Sequence, residues 1–321
     1  MRRLVVLATA LLVVPSAAAG ARSSASRPVA LVCAEASNEV FAVSLGPHGG
    51  RVLKRIHIAD PLMIAAPLHG PAVVVDPNGT VTLLGWHSLR PIEVLHGFVR
   101  PEVAAIAPGD RYAYVSDAGS GRLVVIDLAR RSVVGRVFVG LQAHHLDFSP
   151  DGKRLWVSLG ETASTIVRLD TADLRRPRVV GRIHPRATAH GIEFSPDGRS
   201  VWVSSSGAPF VTVFDAATGE PRREIAAGKG PQEIAFSGKR AIVTSGYGSS
   251  LEAVSWRTYG RHSSVSVPYG SFNLATFGGD VVTSSVLTGY VTELQAGTLK
   301  RLWTRKIAPV TRYVAISVWP R

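Results

Sequence analysis

GLQAHHLDFSPDGKRLWVSLGETASTIVRLD (Gly140–Asp170) is followed by RATAHGIEFSPDGRSVWVSSSGAPFVTVFD (Arg186–Asp215), and the second stretch restates the first. In both, Phe-Ser-Pro-Asp-Gly leads through two further residues and an apolar one to Trp-Val-Ser, and each closes on an apolar run that ends in Asp. Equivalent positions, such as Phe148 and Phe194 or Trp156 and Trp202, lie 46 residues apart. That period falls among those of repeat architectures and close to the ~40–45 residues of a propeller blade. Short runs in which apolar and polar residues alternate, broken by Gly, Pro, Asp and Asn, have the period of strands rather than helices. Pro-Asp-Gly supplies a tight turn, because proline presets φ and glycine accepts a positive one. The reading is an array of β-hairpins.

Working outward, the strand that carries Trp-Val-Ser has counterparts along the chain. They are ALVCAEAS from Ala30, AVVVDPN from Ala72, YAYVSDA from Tyr112, AIVTSGY from Ala241 and VVTSSVL from Val281. With the two already quoted, these make seven units. Too few residues precede Ala30 to give the first unit its own opening strand, whereas one apolar segment, Tyr313–Trp319, is left over at the other end. That segment is expected to complete the first unit and cover its open edge. The fold class is therefore all-β: a single seven-bladed β-propeller of four-stranded antiparallel blades, closed by the C-terminal strand in the first blade. The propeller is expected to occupy residues 29–321.

Residues 1–21 have the pattern of a signal peptide: Arg2 and Arg3, the apolar run Leu4–Val14, and small residues that allow cleavage after Ala19 or Ala21. Residues 22–28 read as a disordered lead. The expectation is a secreted or extracytoplasmic protein, in the periplasm or at the cell wall. A lone cysteine, Cys33, excludes an intrachain disulfide and, set in the run VALVCA, reads as a small buried hydrophobe. The formal net charge of +13 is carried mostly by arginine. It fits coding bias, or attraction to an anionic wall polymer or membrane surface. The arginines are scattered and no nucleic-acid-binding motif is present, so nucleic acid is not an expected partner.

Tyr114-Val-Ser-Asp, Gly121–Asp127, Val133–Val137, Gly140 and Phe148–Gly152 resemble the consensus of YVTN-repeat β-propellers. These are exported bacterial and archaeal seven-bladed, WD40-like propellers, related to the lactonase-like and cytochrome-d1-like group. The resemblance is best over roughly residues 98–240. It implies a fold more than an activity, since that group holds lactonases, metal-dependent lyases, electron-transfer proteins and binding proteins.

A propeller's natural site is the mouth of its central channel. Counting four residues back from Phe148 and its equivalents gives Glu102, His144, His190, Gln232, Asn273 and Arg312, a polar residue in six of seven blades. The second-blade equivalent falls between Pro61 and Ala65. If the blades are equivalent, these side chains ring one end of the axis as a ligand-binding set. Glu102, His144 and His190 have donor types suited to a divalent cation, the one cofactor considered. Arg312 is a fork for an anionic group. His145, beside His144, is expected on the opposite face of its strand because side chains alternate. No catalytic residue is assigned. The leading expectation is a non-catalytic binding or scaffold protein for a partner or small ligand at the propeller face. The alternative is a metal-dependent lactonase- or lyase-like enzyme at the channel mouth.

Overall fold

A computed structural model of the chain describes residues 26–160, 162–260 and 262–320; the expected signal peptide lies outside them. Seven four-stranded antiparallel sheets follow one another in chain order. Their inner strands are, from blade 1 to blade 7, Val314–Pro320, Met63–Ala65, Pro101–Ile106, Ala143–Phe148, Ile192–Phe194, Pro231–Ser237 and Ser271–Phe277. Blade 1 is closed as the sequence implies. Val314–Pro320 pairs antiparallel with Ser26–Ala34, with Val314 opposite Val32 and Pro320 opposite Ser26. That pairing corrects one boundary. Ser26–Pro28, expected in the disordered lead, already belong to the strand, because Val318–Pro320 offer them an edge to pair with.

Burial explains the composition of each strand. Second strands are flanked by blades on both sides: Ala72–Asp76 and Tyr112–Asp117 are buried along their whole length. They therefore read as continuous apolar runs rather than as alternating ones. Fourth strands lie at the rim. Arg178–Ile183 and Pro221–Ala226 are mostly exposed and rich in arginine, which discourages pairing with another chain at a free edge.

The repeated tryptophans join blade to blade. Trp156 packs edge-on against Phe194 and Phe214 of blade 5, and Trp202 packs edge-on against Phe236 of blade 6. Both indoles are buried. The turns behave as their sequences imply. Gly152 and Gly198 close Pro-Asp-Gly with φ of +69° and +65°. Asp151 accepts hydrogen bonds from the Ser149 hydroxyl and the Lys153 N–H, and Asp197 repeats the arrangement with Ser195 and Arg199. Asp127, Asp170 and Asp215 cap the turns that follow their strands. Cys33 is fully buried, and burial pushes its thiol up.

Candidate functional site at the channel mouth

Regular pairing breaks where the inner strands begin. The register between first and second strands shifts at Pro101/Val103, Ala143/Leu146, Pro231/Ile234 and Ser271/Asn273. In blades 4 and 6 two residues, His144–His145 and Gln232–Glu233, face a single residue on the second strand, Ser158 and Thr244 respectively. A bulge leaves backbone groups without ladder partners and turns side chains out of alternation.

The opposing hydroxyls take up those groups. Thr244 accepts the Glu233 N–H at 2.9 Å and donates to the Phe272 carbonyl of the next blade at 2.7 Å. Ser204 accepts the Gly191 N–H at 2.9 Å and donates to the Gln232 carbonyl. Ser158 donates to the His190 carbonyl at 3.4 Å, and Ser284 to that of Arg312 at 2.5 Å. In blades 4, 5 and 6 one hydroxyl thus bonds its own inner strand and fastens a mouth residue of the next blade.

The result is a funnel of about 390 Å³ lined by all six residues of the expected ring: Glu102, His144, His190, Gln232, Asn273 and Arg312. Blade 2, whose inner strand is the shortest of the ring together with that of blade 5, contributes apolar Leu62. Tyr247, Phe272 and Tyr313 supply aromatic surface. The charged members are already engaged. Glu102 pairs with Arg100 at 3.0 Å, and Arg312 with Glu35 at 2.9 Å. The Asn273 amide donates to the Arg312 carbonyl at 2.8 Å, so part of its hydrogen-bonding capacity holds the rim together.

Two expectations change here. His145 does not turn to the far face of its strand. It lines the same funnel as His144, because the bulge suspends alternation between them. The expected cation set of Glu102, His144 and His190 is likewise not the group that comes together. Among the described residues, the three potential ligands whose donor atoms all lie within 4.8 Å of one another are His145, His190 and Glu233. Glu102 is held by Arg100 instead.

The three histidine rings of the funnel form an edge-on and tilted cluster. Ring centres are 4.5 Å apart for His144 and His145, 4.5 Å for His145 and His190, and 6.1 Å for His144 and His190. His145 Nδ1 lies 3.2 Å from Glu233 Oε1. Burial, with the neighbouring imidazoles as a lesser cause, holds His144 and His145 below the usual histidine range, His144 down to about 3. Both rings are therefore neutral at physiological pH. The carboxylates of the throat move the other way. Burial and the charge of Asp147 push Glu233 up to about 8, and Glu193 is raised by burial and by Asp147 and Glu233. Asp147, itself raised by burial, accepts the Phe194 N–H of the next blade at 2.7 Å.

The sequence profile of the family described as "Lactonase, 7-bladed beta-propeller" matches residues 99–255, from the start of blade 3 into blade 6. Among solved structures, a protein of unknown function from Desulfotomaculum acetoxidans superposes with a TM-score of 0.77 at 14% identity, covering 91% of this chain and 99% of that one. A protein from Bacteroides uniformis, proposed to be a 6-phosphogluconolactonase, gives 0.65 at 15% identity over 76% of this chain and 83% of its own. The chain is a seven-bladed propeller that is similar to the lactonase family over that stretch. Hydrazine synthase of Kuenenia stuttgartiensis is also similar, with a TM-score of 0.63, 19% identity, and 74% and 76% coverage. At such identities the likeness is one of fold. The chain matches no curated protein.

The stretch that matches the lactonase model carries Glu102, His144, His145, His190, Gln232 and Glu233. Its mouth therefore offers uncharged imidazole and amide groups at the surface and proton-holding carboxyls beneath them. Counting residues back from Phe-Ser-Pro missed His145 and Glu233. The available signal was two adjacent polar residues, His144-His145 and Gln232-Glu233, in strands that otherwise alternate.

Proposed function

We propose that this propeller binds a small, uncharged, polyhydroxylated molecule of the sugar or sugar-lactone class in the funnel at the channel mouth. The observation that carries the reading is the state of the charges there: both rim ion pairs, Arg100 with Glu102 and Arg312 with Glu35, are already made. The funnel then offers directional hydrogen bonding from His144 and Gln232, with Tyr247 and Phe272 as apolar faces. The funnel of about 390 Å³ suits a ligand of sugar size. Calorimetry with D-galactose, D-galactono-1,4-lactone and D-galactonate tests this. One-site binding of a neutral member, weakened by His144→Ala and by Gln232→Ala, is expected; binding of the anion alone would overturn the proposal.

A second reading, hydrolysis of a lactone, is favoured by the family match over the blades that supply the histidines. In that reaction a water oxygen bonds to the carbonyl carbon, the ring C–O bond breaks, and the departing alkoxide takes up a proton to leave a hydroxy acid. Acid release from the lactone above the buffer rate, lost in His144→Ala, supports it; equal rates with and without protein refute it. We further propose that the protein works outside the cytoplasm, on the N-terminal pattern of residues 1–21. Mass analysis of the exported chain, starting at Gly20 or Arg22, checks that assignment.

A further inference from the structure

We infer that His145, His190 and Glu233 form a first-row transition-metal site at the floor of the funnel. The three donor atoms, from inner strands of three successive blades or the residues just before them, already lie within 4.8 Å of one another. His145 Nδ1 and Glu233 Oε1 are 3.2 Å apart, inside the roughly 3–3.4 Å that metal–ligand bonds of about 2.0–2.2 Å impose on neighbouring ligands.

An independent observation points to the same place. His145 is only 5% exposed, and its Nε2 is buried with no hydrogen-bond partner. His144, edge-on to it with ring centres 4.5 Å apart, leaves Nδ1 buried and unpartnered as well. A buried polar atom without a partner costs about 1–3 kcal/mol, and such atoms in native proteins call for an explanation. Buried imidazoles short of protein partners, one of them facing a carboxylate, make a pocket suited to a cation, which His145 would bind through the Nδ1 that faces Glu233.

Ligand type narrows the ion. Two imidazoles and one carboxylate suit zinc, cobalt, nickel, iron(II) or copper, whereas magnesium and calcium take oxygen ligands. Three protein ligands, with the funnel on one side, match sites that keep a coordination position open. The bulges build the arrangement. Without them, alternation would send His145 and Glu233 away from His144 and Gln232.

Because His145 and His190 also line the funnel, the site is tested on untagged, chelator-treated protein with metal alone, with no sugar present. Cobalt(II) is titrated and followed by its visible absorption, and zinc content after dialysis is read by elemental analysis. One equivalent per chain is expected. Glu233→Gln and His145→Asn should each weaken uptake by more than about 100-fold, beyond the ~10–100-fold typical of losing a supporting group. Glu102→Gln should leave uptake unchanged. Circular dichroism and melting temperature confirm that each variant is folded. No uptake by folded wild-type protein overturns the proposal, as does uptake that survives both substitutions or that falls with Glu102→Gln. The sugar-binding reading is scored separately, by calorimetry on the metal-free protein.

Discussion

The two ends of the central channel are built from the same seven strands and differ in almost every respect. Where the inner strands begin, the ladder is bulged and the wall carries imidazoles, amides, carboxylates and two ion pairs. Toward their other ends the strands pair regularly, and a wider opening of about 740 Å³ is bounded by Phe236, Phe277, Val314, Ala315, Ile316 and glycines of the turns. The difference separates two duties. The regular end holds neighbouring inner strands together by apolar contact, and the irregular end spends ladder hydrogen bonds on aiming side chains at the axis, with serine and threonine hydroxyls making good the loss.

That division is open to attack at three points. The largest effect is expected at the regular end. Ile316→Ala removes a 93%-buried side chain from the closing strand, leaving 7% exposure as its starting point, and should cost about 2–5 kcal/mol. Chemical denaturation measures the loss, and cobalt uptake at the far end should be unchanged. Loss of uptake in a folded Ile316→Ala protein would mean that the ends are not separable.

A smaller effect is expected from Ser204→Ala at the irregular end, where the buried hydroxyl serves the Gly191 N–H and the Gln232 carbonyl. Leaving those groups unsatisfied should cost about 1–3 kcal/mol by denaturation. Because Gln232 is fastened there, as is Gly191 next to His190, ligand affinity should fall along with stability. A stability loss with affinity intact would reduce the brace to ordinary packing.

The smallest effect depends on pH. Glu193 is raised above its ordinary value of 4.5, so the folded protein keeps a proton that the unfolded chain gives up. Stability from this group is complete below about pH 4.5 and declines as pH rises toward the folded value. Glu193→Gln should therefore raise the melting temperature of metal-free protein at pH 8 and leave it unchanged at pH 4. An equal shift at both would deny that charge crowding distinguishes the irregular end.

How much of this was readable in advance follows the same divide. Phe-Ser-Pro-Asp-Gly and Trp-Val-Ser announced hairpins of fixed period, and the absence of a first strand before Ala30 announced the closure, because regular strands obey alternation and count. The same counting brought six residues to one funnel. It failed at His145 and Glu233 because a bulge is a local break in the rule used to count, visible only as two polar neighbours side by side. Nor could it foresee that Asn273 would bond the Arg312 carbonyl, since the partner comes from a strand 39 residues away in another blade.

The seam in blade 1 has a further consequence, for the order of events in folding. Val29 and Ser317 are neighbours in the finished sheet, yet nearly the whole chain separates them in sequence. Hairpins within a blade need only local chain and can form early, whereas contacts between distant segments form late and slowly. The first blade to leave the ribosome is thus the last to be finished, and it waits, with one edge open, for the final residues to arrive.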